Sequence, residues 1–422
     1  HVTDRGFWDD EIDLWLASVG PWRSQQMAPL PPLLQGLWIS LPADPTSMLW
    51  FRIPSLILGS AAVLSISALA TRLFDREAGV AAAAFMAISP MAIYYSQEAR
   101  PYALLLLLVP LSIYFLLQAR SRGGWTDLLA CSALLFLCSM THALASLIGL
   151  GMVVWCVGDG YLRRNARGGL ISAFVLAVGS GTGLGWVFFR RIPVSSVVES
   201  SYSRGLEAFV VESLRSIGPD VMQGPRDSSL VTLTAFVLLA GVAAGAWRLF
   251  QEHGAEGALP LCASAFLLTI LFITLGDRSG WKWDRYLSPL LPLYLSLLAG
   301  GCYTPRLRKG GWSSTLVFGA LLLFLPGLSA WARTGTYDRS AHPKRAAQQL
   351  ALHTGELDGF IVIAPWYVLS KLPGVGVPLA KAIVLNRETV GPFKTIFEPC
   401  SSLAAKAAGL SITGERSSSI TK

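Results

Sequence analysis

The chain has 422 residues and a formal net charge of +8, and 53% of its residues are hydrophobic while only 14% are charged. This composition excludes an ordinary soluble domain and indicates a polytopic membrane protein. Lys and Arg fall in short segments between apolar runs, so membrane orientation explains the positive charge better than nucleic-acid binding does. The Cys residues show no spacing typical of a metal site or a disulfide framework.

The first 50 residues mix acids, Trp and Pro, and they contain no apolar run long enough to cross a bilayer. This pattern predicts interfacial helices that lie along the membrane surface. The chain begins with His1 and has no apolar span before Trp50. We therefore expect residues 1–50 to be the first outer loop of a protein whose first transmembrane helix is missing here.

About ten membrane crossings are predicted from the apolar runs that follow. Eight are single runs, at residues 52–70, 78–95, 101–119, 170–189, 230–247, 259–275, 287–303 and 315–331. The run 128–156 is too long for one upright helix and is interrupted near His142. Two short helices place the basic segment 163–167 on the same side as Arg120 and Arg122, which a single span would not do, so two helices are expected.

Alternation of these spans gives a consistent distribution of charge. The outer face receives residues 1–50, the turn at 94–102, His142, the loops 191–228 and 277–286, and the tail. The opposite face receives the basic residues of the short loops, which include Arg72, Arg76, Arg120, Arg122, Arg163, Arg164, Arg167, Arg248, Arg306, Arg308 and Lys309. Because Lys and Arg mark the cytoplasmic side, we predict a multi-pass protein of the cell (inner) membrane.

Residues 1–335 are therefore predicted to form an all-α transmembrane domain, and residues 336–422 a small α/β domain on the outer face. An amphipathic segment at 343–353 and a β-like apolar run at 359–364 favour a helix and a strand in the second domain. The end of the chain, from Gly374, shows poor periodicity and receives no structural assignment.

Residues 94–102, which read YYSQEARPY, form a polar turn between two apolar spans and are called the 94–102 turn below. Pro101 suits the first turn of a helix, and the tyrosines suit a membrane interface. We expect this turn at the water boundary. Taken alone, it fits a charged cap with aromatic anchors as well as it fits a functional site.

Charged residues on the predicted outer face supply a candidate site. The acids are Asp9, Asp10, Glu11 and Glu98, and the bases are Arg100, Arg190, Arg191, Arg278, Lys282 and Arg285. A carboxylate can take a proton from a hydroxyl or hold a divalent cation, whereas Arg and Lys match phosphate oxygens. Together these residue types predict a site for a sugar carried on a phosphate.

Three segments also carry a family resemblance: residues 7–11 (FWDDE), the 94–102 turn, and residues 284–289 (DRYLSP) before a late span. In order and spacing over residues 1–335, they resemble bacterial polyprenyl-phosphate-sugar glycosyltransferases with the C-type membrane fold. That group includes protein O-mannosyltransferases and the aminoarabinose transferases of lipid A. One departure is Leu30, because many such chains have a His just before the paired prolines.

The resemblance implies an enzyme that moves a sugar from a polyprenyl-phosphate carrier to an acceptor hydroxyl on the outer face. It implies Asp10 as the catalytic base, Glu11 as its partner, and Arg285 as a contact of the lipid phosphate. The other candidate substrate-binding residues are Glu98, Arg100, Tyr102, Lys282 and Tyr286. A divalent cation is a further candidate, as an aid in stabilising the departing phosphate.

Other roles are open for the same residues. The acids at 9–11 could cap a helix N-terminus, Arg285 could extend from a helix end to water, and His142 is expected as a locally hydrogen-bonded tip residue. The whole chain could instead be a transporter or flippase of polyprenyl-linked lipid, or a structural assembly subunit. The sequence shows no internal repeat of the kind that transporters have.

Cysteine substitutions test the predicted topology. In intact cells, a membrane-impermeant thiol reagent should label the Ser200→Cys and Ser340→Cys variants and spare Asn165→Cys, because only the first two lie on the predicted outer face. Equal labelling of all three variants would contradict the arrangement of spans.

Overall fold

The computed structural model describes residues 28–41, 48–142, 145–162, 165–189, 229–253, 288–303 and 315–322, with the single residues 11, 14, 18, 313 and 324. The chain divides into two compact units, Leu14–Thr336 and a second made of His1–Asp13 with Tyr337–Lys422. In the second unit, Glu11 is described. The small domain predicted at 336–422 and the span predicted at 259–275 lie outside the described residues.

The described part of the first unit is helical. Its helices are α1 Leu30–Ile39, α2 Met48–Leu73, α3 Arg76–Ile88, α4 Pro90–Ser96, α5 Tyr102–Arg122, α6 Trp125–Thr141, α7 Ala145–Leu162, α8 Ala166–Phe189, α9 Ser229–His253 and α10 Leu291–Cys302. The helical run α1 lies in the segment where interfacial helices are predicted. The interruption predicted in the run 128–156 is confirmed, since α6 ends next to His142 and α7 begins three residues later.

The run 78–95, predicted as one span, contains a sharp bend. The chain forms α3 and α4 there, and their axes differ by 63°. Pro90 causes the bend, because it lacks a backbone N–H and excludes the helical conformation at the preceding residue. Ser89 accordingly has extended backbone angles (φ −62°, ψ 121°) and caps the new helix by accepting a hydrogen bond from the Ala92 N–H at 3.5 Å.

Among the described helices, Leu49–Leu73 and Tyr102–Arg122 are each long and apolar enough to cross a membrane. The bent pair α3–α4 gives a third span if it is counted as one. Helices α6, α7 and the segment Ser288–Cys302 are apolar but shorter. These helices belong to a multi-pass membrane protein, and the total of about ten crossings stays a prediction.

The helices of the first unit pack as one bundle. Helix α2 packs on α3 and α5 and also contacts α1, α4 and α10, while α6 lies against α5 and α8, and α7 lies on α8. Helix α10 is buried along its whole length among α9, α3, α2 and α5. A helix that is apolar on every side is expected in the interior of such a bundle.

Small residues bring α9 and α10 into backbone contact. A Cβ atom added at Gly245 of α9 would collide with the Leu297 carbonyl oxygen of α10, and one added at Gly301 would collide with the Gly241 carbonyl oxygen. Close approach at small residues is a common way to pack helices in a membrane, where apolar burial gives no advantage over lipid. These glycines therefore set the distance between the two helices.

A buried arginine ties α9 to its neighbours at the end of the bundle that holds the α2–α3 turn. Arg248 Nη2 pairs with Asp75 Oδ2 at 2.8 Å, and Arg248 Nε pairs with Glu252 Oε1 at 2.7 Å. Its Nη1 donates to the Gly300 carbonyl oxygen of α10 at 3.3 Å. Burial lowers the pKa of Arg248, but the hydrogen bonds to Asp75 and Glu252 outweigh that effect and raise this pKa above its ordinary value.

A second ionic contact at this end joins α5 to α7. Arg120 Nη2 pairs with Asp159 Oδ1 at 2.8 Å, and its guanidinium lies 4.9 Å from the ring centroid of Trp155. Asp159 lies near the end of α7, and Arg120 near the end of α5. The 94–102 turn and His142 adjoin the opposite ends of these helices. The bundle therefore separates the two groups of residues that charge counting assigns to opposite faces.

A glycine substitution tests the α9–α10 contact. Gly245→Ala should lower the free energy of unfolding by about 1–3 kcal/mol, the usual cost of overpacking, because the new methyl group meets backbone. Gly158→Ala is the matched control, since Gly158 lies in α7 with nothing within 4 Å of an added Cβ. It should be neutral or gain up to about 1 kcal/mol of helix propensity. Equal unfolding curves in detergent for the two variants would contradict the contact.

Candidate functional site

The candidate site residues fall into two groups in the structure. Glu11, Glu98, Arg100 and Tyr102 are described, whereas Asp10, Lys282, Arg285 and Tyr286 lie outside the described residues. Glu11 is helical and its side chain is fully buried, in the unit that contains His1–Asp13. The other three described residues belong to the 94–102 turn, in the unit Leu14–Thr336.

The 94–102 turn is shaped by hydrogen bonds of its own backbone. The Gln97 N–H donates to the Tyr94 carbonyl oxygen at 3.1 Å and ends α4. The Arg100 N–H then donates to the Glu98 carbonyl oxygen at 2.8 Å, which closes a tight turn. Helix α5 begins two residues later, after Pro101, as the sequence predicts for a proline at this place. The turn thus satisfies part of its backbone without water.

Glu98 and Arg100 form a buried ion pair across this turn. Arg100 Nε lies 3.1 Å from Glu98 Oε2, and the two side chains are only 8% and 2% exposed. Removing two charges from water is costly, and the pair offsets this cost because each charge partly neutralises the other. Ionisable groups held inside a membrane domain commonly mark a functional cavity.

The start of the 94–102 turn packs against α2. Ser96, at the end of α4, lies against Gly59 of α2, where an added Cβ would collide with the serine side chain. Gly59 follows the first residue of α2, Met48, by eleven positions, and at 1.5 Å per residue this places it about 16 Å along the helix. The start of the turn therefore lies beside α2 rather than beyond its end. The expected position of the whole turn at the water boundary stays a prediction.

A row of aromatic rings runs from the turn to the end of α6. The ring centroids of Tyr94 and Tyr95 lie 5.1 Å apart, and those of Tyr95 and Tyr102 lie 4.6 Å apart. The row continues to His142, whose ring centroid is 5.8 Å from that of Tyr102. The three tyrosines are buried, whereas His142 is partly exposed. The structure thus brings together the turn and the tip residue, which are forty residues apart in the sequence.

The sequence analysis missed Arg52 as a candidate residue. The predicted span 52–70 begins at this residue, yet its side chain is 1% exposed and lies inside α2. Nearby, Gln35 Nε2 donates to the Phe51 carbonyl oxygen at 2.8 Å, which ties α1 to α2. The available signal was the continuation of the apolar pattern on both sides of Arg52, from 48 to 51 and from 53 onwards.

The described residues do not contain a group of three or more His, Cys, Asp or Glu side chains arranged to hold a metal ion. Among them, the carboxylate of Glu98 is engaged with Arg100. The divalent cation considered from the sequence therefore stays a prediction.

Fold and site together define an α-helical membrane domain that buries an ion pair and an aromatic row at one end of its bundle. Residues 26–180 match the family model described as dolichyl-phosphate-mannose-protein mannosyltransferase. The resemblance indicated by the sequence is thus confirmed over this segment, which includes the 94–102 turn and His142. No curated protein matches the sequence significantly.

Two solved structures share the fold. ArnT from Cupriavidus metallidurans bound to undecaprenyl phosphate is 14% identical, with a TM-score of 0.56, over 86% of this chain and 80% of that one. ArnT from the same organism in the apo state is 15% identical, with a TM-score of 0.52, over 97% of this chain and 74% of that one. The chain therefore shares its fold with ArnT.

Substitutions in the ion pair test its burial. Glu98→Gln should lower the free energy of unfolding by about 3–5 kcal/mol, because it leaves the buried Arg100 charge without this counter-ion. The double variant Glu98→Gln/Arg100→Met removes both charges and should recover much of that loss. Arg122→Gln, at an exposed helix end, should change stability by less than about 0.5 kcal/mol. An additive double variant, measured by chemical unfolding in detergent, would contradict the pairing.

Proposed function

We propose that this protein is an integral membrane glycosyltransferase that moves a sugar from a polyprenyl-phosphate carrier to an acceptor hydroxyl on the outer face of the cell membrane. The observation that carries the proposal is the shared fold with ArnT, whose crystal structure contains undecaprenyl phosphate. The match of residues 26–180 to a mannosyltransferase family model supports the same class of donor. The proposal leaves the sugar and the acceptor unspecified.

The proposed reaction is a direct displacement at the anomeric carbon. Asp10 takes the proton of the acceptor hydroxyl, and the resulting oxygen forms the new bond to the sugar. The bond between the sugar and the phosphate oxygen breaks, and the polyprenyl phosphate leaves with the electron pair. A phosphate is a good leaving group without protonation, so the reaction needs stabilisation of negative charge rather than an acid.

Glu11 supports Asp10 in this proposal rather than meeting the acceptor. Its side chain is fully buried and helical, and an acceptor that arrives from water needs an accessible base.

Basic residues stabilise the phosphate in this proposal. Arg285 and Lys282 supply positive charge from the segment before α10, and Tyr286 and Tyr102 complete the surroundings of the donor. The Arg100 guanidinium is already held by Glu98, so a donor phosphate that approaches the 94–102 turn competes with that carboxylate. This pairing keeps Arg100 ordered in the absence of donor. The proposed steps use protein side chains and no metal ion.

Asp10→Asn tests the catalytic assignment. The amide keeps the shape of the side chain but cannot accept the proton, so turnover should fall by about 10²–10⁴-fold while donor binding changes little. The assay uses the complete protein with labelled polyprenyl-phosphate sugars and membrane extracts as the source of acceptor.

Asp9→Asn is the matched control and should cost far less activity. Helix capping, the other role open to these acids, predicts that both variants stay active, because Asn caps a helix about as well as Asp does. Near-normal turnover of Asp10→Asn would remove this residue from the chemistry.

A further inference from the structure

His142 occupies a position that the proposed function does not use. It ends α6 with extended backbone angles (φ −159°, ψ 131°), in the middle of an apolar run. Its backbone N–H donates to the Cys138 carbonyl oxygen at 2.9 Å, and its own carbonyl oxygen accepts from the Ala145 N–H at 3.0 Å. Both backbone groups are therefore satisfied within the chain.

A buried network of hydroxyl groups lies next to this break. Ser139 Oγ donates to the Leu135 carbonyl oxygen at 2.9 Å and contacts the Ser180 carbonyl oxygen of α8 at 3.1 Å. Ser146 Oγ, in the first turn of α7, donates to Ser139 Oγ at 3.1 Å. These contacts join α6, α7 and α8 close to His142. The place at which α6 ends is therefore fixed by tertiary contacts and not only by local sequence.

The imidazole of His142 packs near the ring of Tyr102, a residue of the 94–102 turn. Its ring lies 5.8 Å from that of Tyr102, at an interplanar angle of 37°. Tyr102 is 5% exposed and is itself packed on Tyr95. Because the tyrosines of the row are buried while His142 is partly exposed, the histidine is the member of the row that a substrate can reach.

We propose that His142 is a further donor-binding residue, which donates a hydrogen bond to the phosphate of the polyprenyl-phosphate donor, and that Tyr102 is its positioning residue. The inference rests on the proposed function and deepens it. An imidazole N–H is a suitable donor to phosphate oxygens.

With His142 as the phosphate contact, the expected role of Tyr102 changes from binding the substrate to positioning the imidazole. The sequence places Tyr102 among the substrate-binding residues, yet its burial leaves little surface for a substrate. In this proposal its ring fixes the orientation of the imidazole, and its hydroxyl is not needed. Tyr102→Phe keeps the ring and should therefore lose less donor affinity than Tyr102→Leu.

Undecaprenyl phosphate binding to the complete protein in lipid nanodiscs tests the proposal, with undecaprenol as the uncharged comparison. His142→Leu should raise the Kd for undecaprenyl phosphate by about tenfold or more, the size expected for one hydrogen bond to a charged group. His142→Gln keeps a side-chain N–H and should retain more of the affinity. Tyr161→Leu, at an exposed site near the far end of α7, is the control and should leave the Kd unchanged.

The possible outcomes separate the two proposals. If the wild type binds undecaprenyl phosphate and His142→Leu binds it equally well, His142 is only a tip residue and the inference is wrong. If His142→Leu weakens undecaprenol and undecaprenyl phosphate to the same extent, the histidine does not act on phosphate, which also overturns it. A wild type with no affinity for undecaprenyl phosphate would overturn the proposed function as well. His142→Leu should also have a thermal unfolding midpoint close to that of the wild type, so that the loss of affinity is not a loss of folding.

Discussion

The lack of water inside a bilayer is the constraint on which the described structure depends. Each interrupted helix and each buried charge must find its partners within the protein. The bend before Pro90 is capped by the Ser89 side chain, and the break after α6 is closed by the backbone of His142. The charges of Glu98 and Arg100 meet across a tight turn. The two helix breaks and the turn therefore each satisfy polar groups within the protein.

Hydrophobic runs and charge counting predicted much of this bundle. The run 128–156 is an instructive case, because its length alone left its division open and the sidedness of a basic loop decided it. The bend inside the run 78–95 was missed, although Ser89 and Pro90 carry the signal in their restricted backbone conformations. A proline at the first position of a new helix causes no change in hydropathy, so a search for apolar runs passes over it.

The site was only partly predictable for a related reason. The polar character of the 94–102 turn is evident in the sequence, but its packing beside α2 is a property of the tertiary structure. The burial of Arg52 was hidden because an arginine near the start of a span usually reaches water along the helix. The approach of His142 to Tyr102 joins two segments that share no local pattern.

The contact between α9 and α10 has a mechanical consequence. Backbone touches backbone at Gly245, and the guanidinium of Arg248 holds the far end of α10 through Gly300. Both contacts lie in the last two turns of α10, so this end of the helix cannot slide or rotate without disturbing α9. A displacement of α10 within the bundle would therefore have to carry α9 with it.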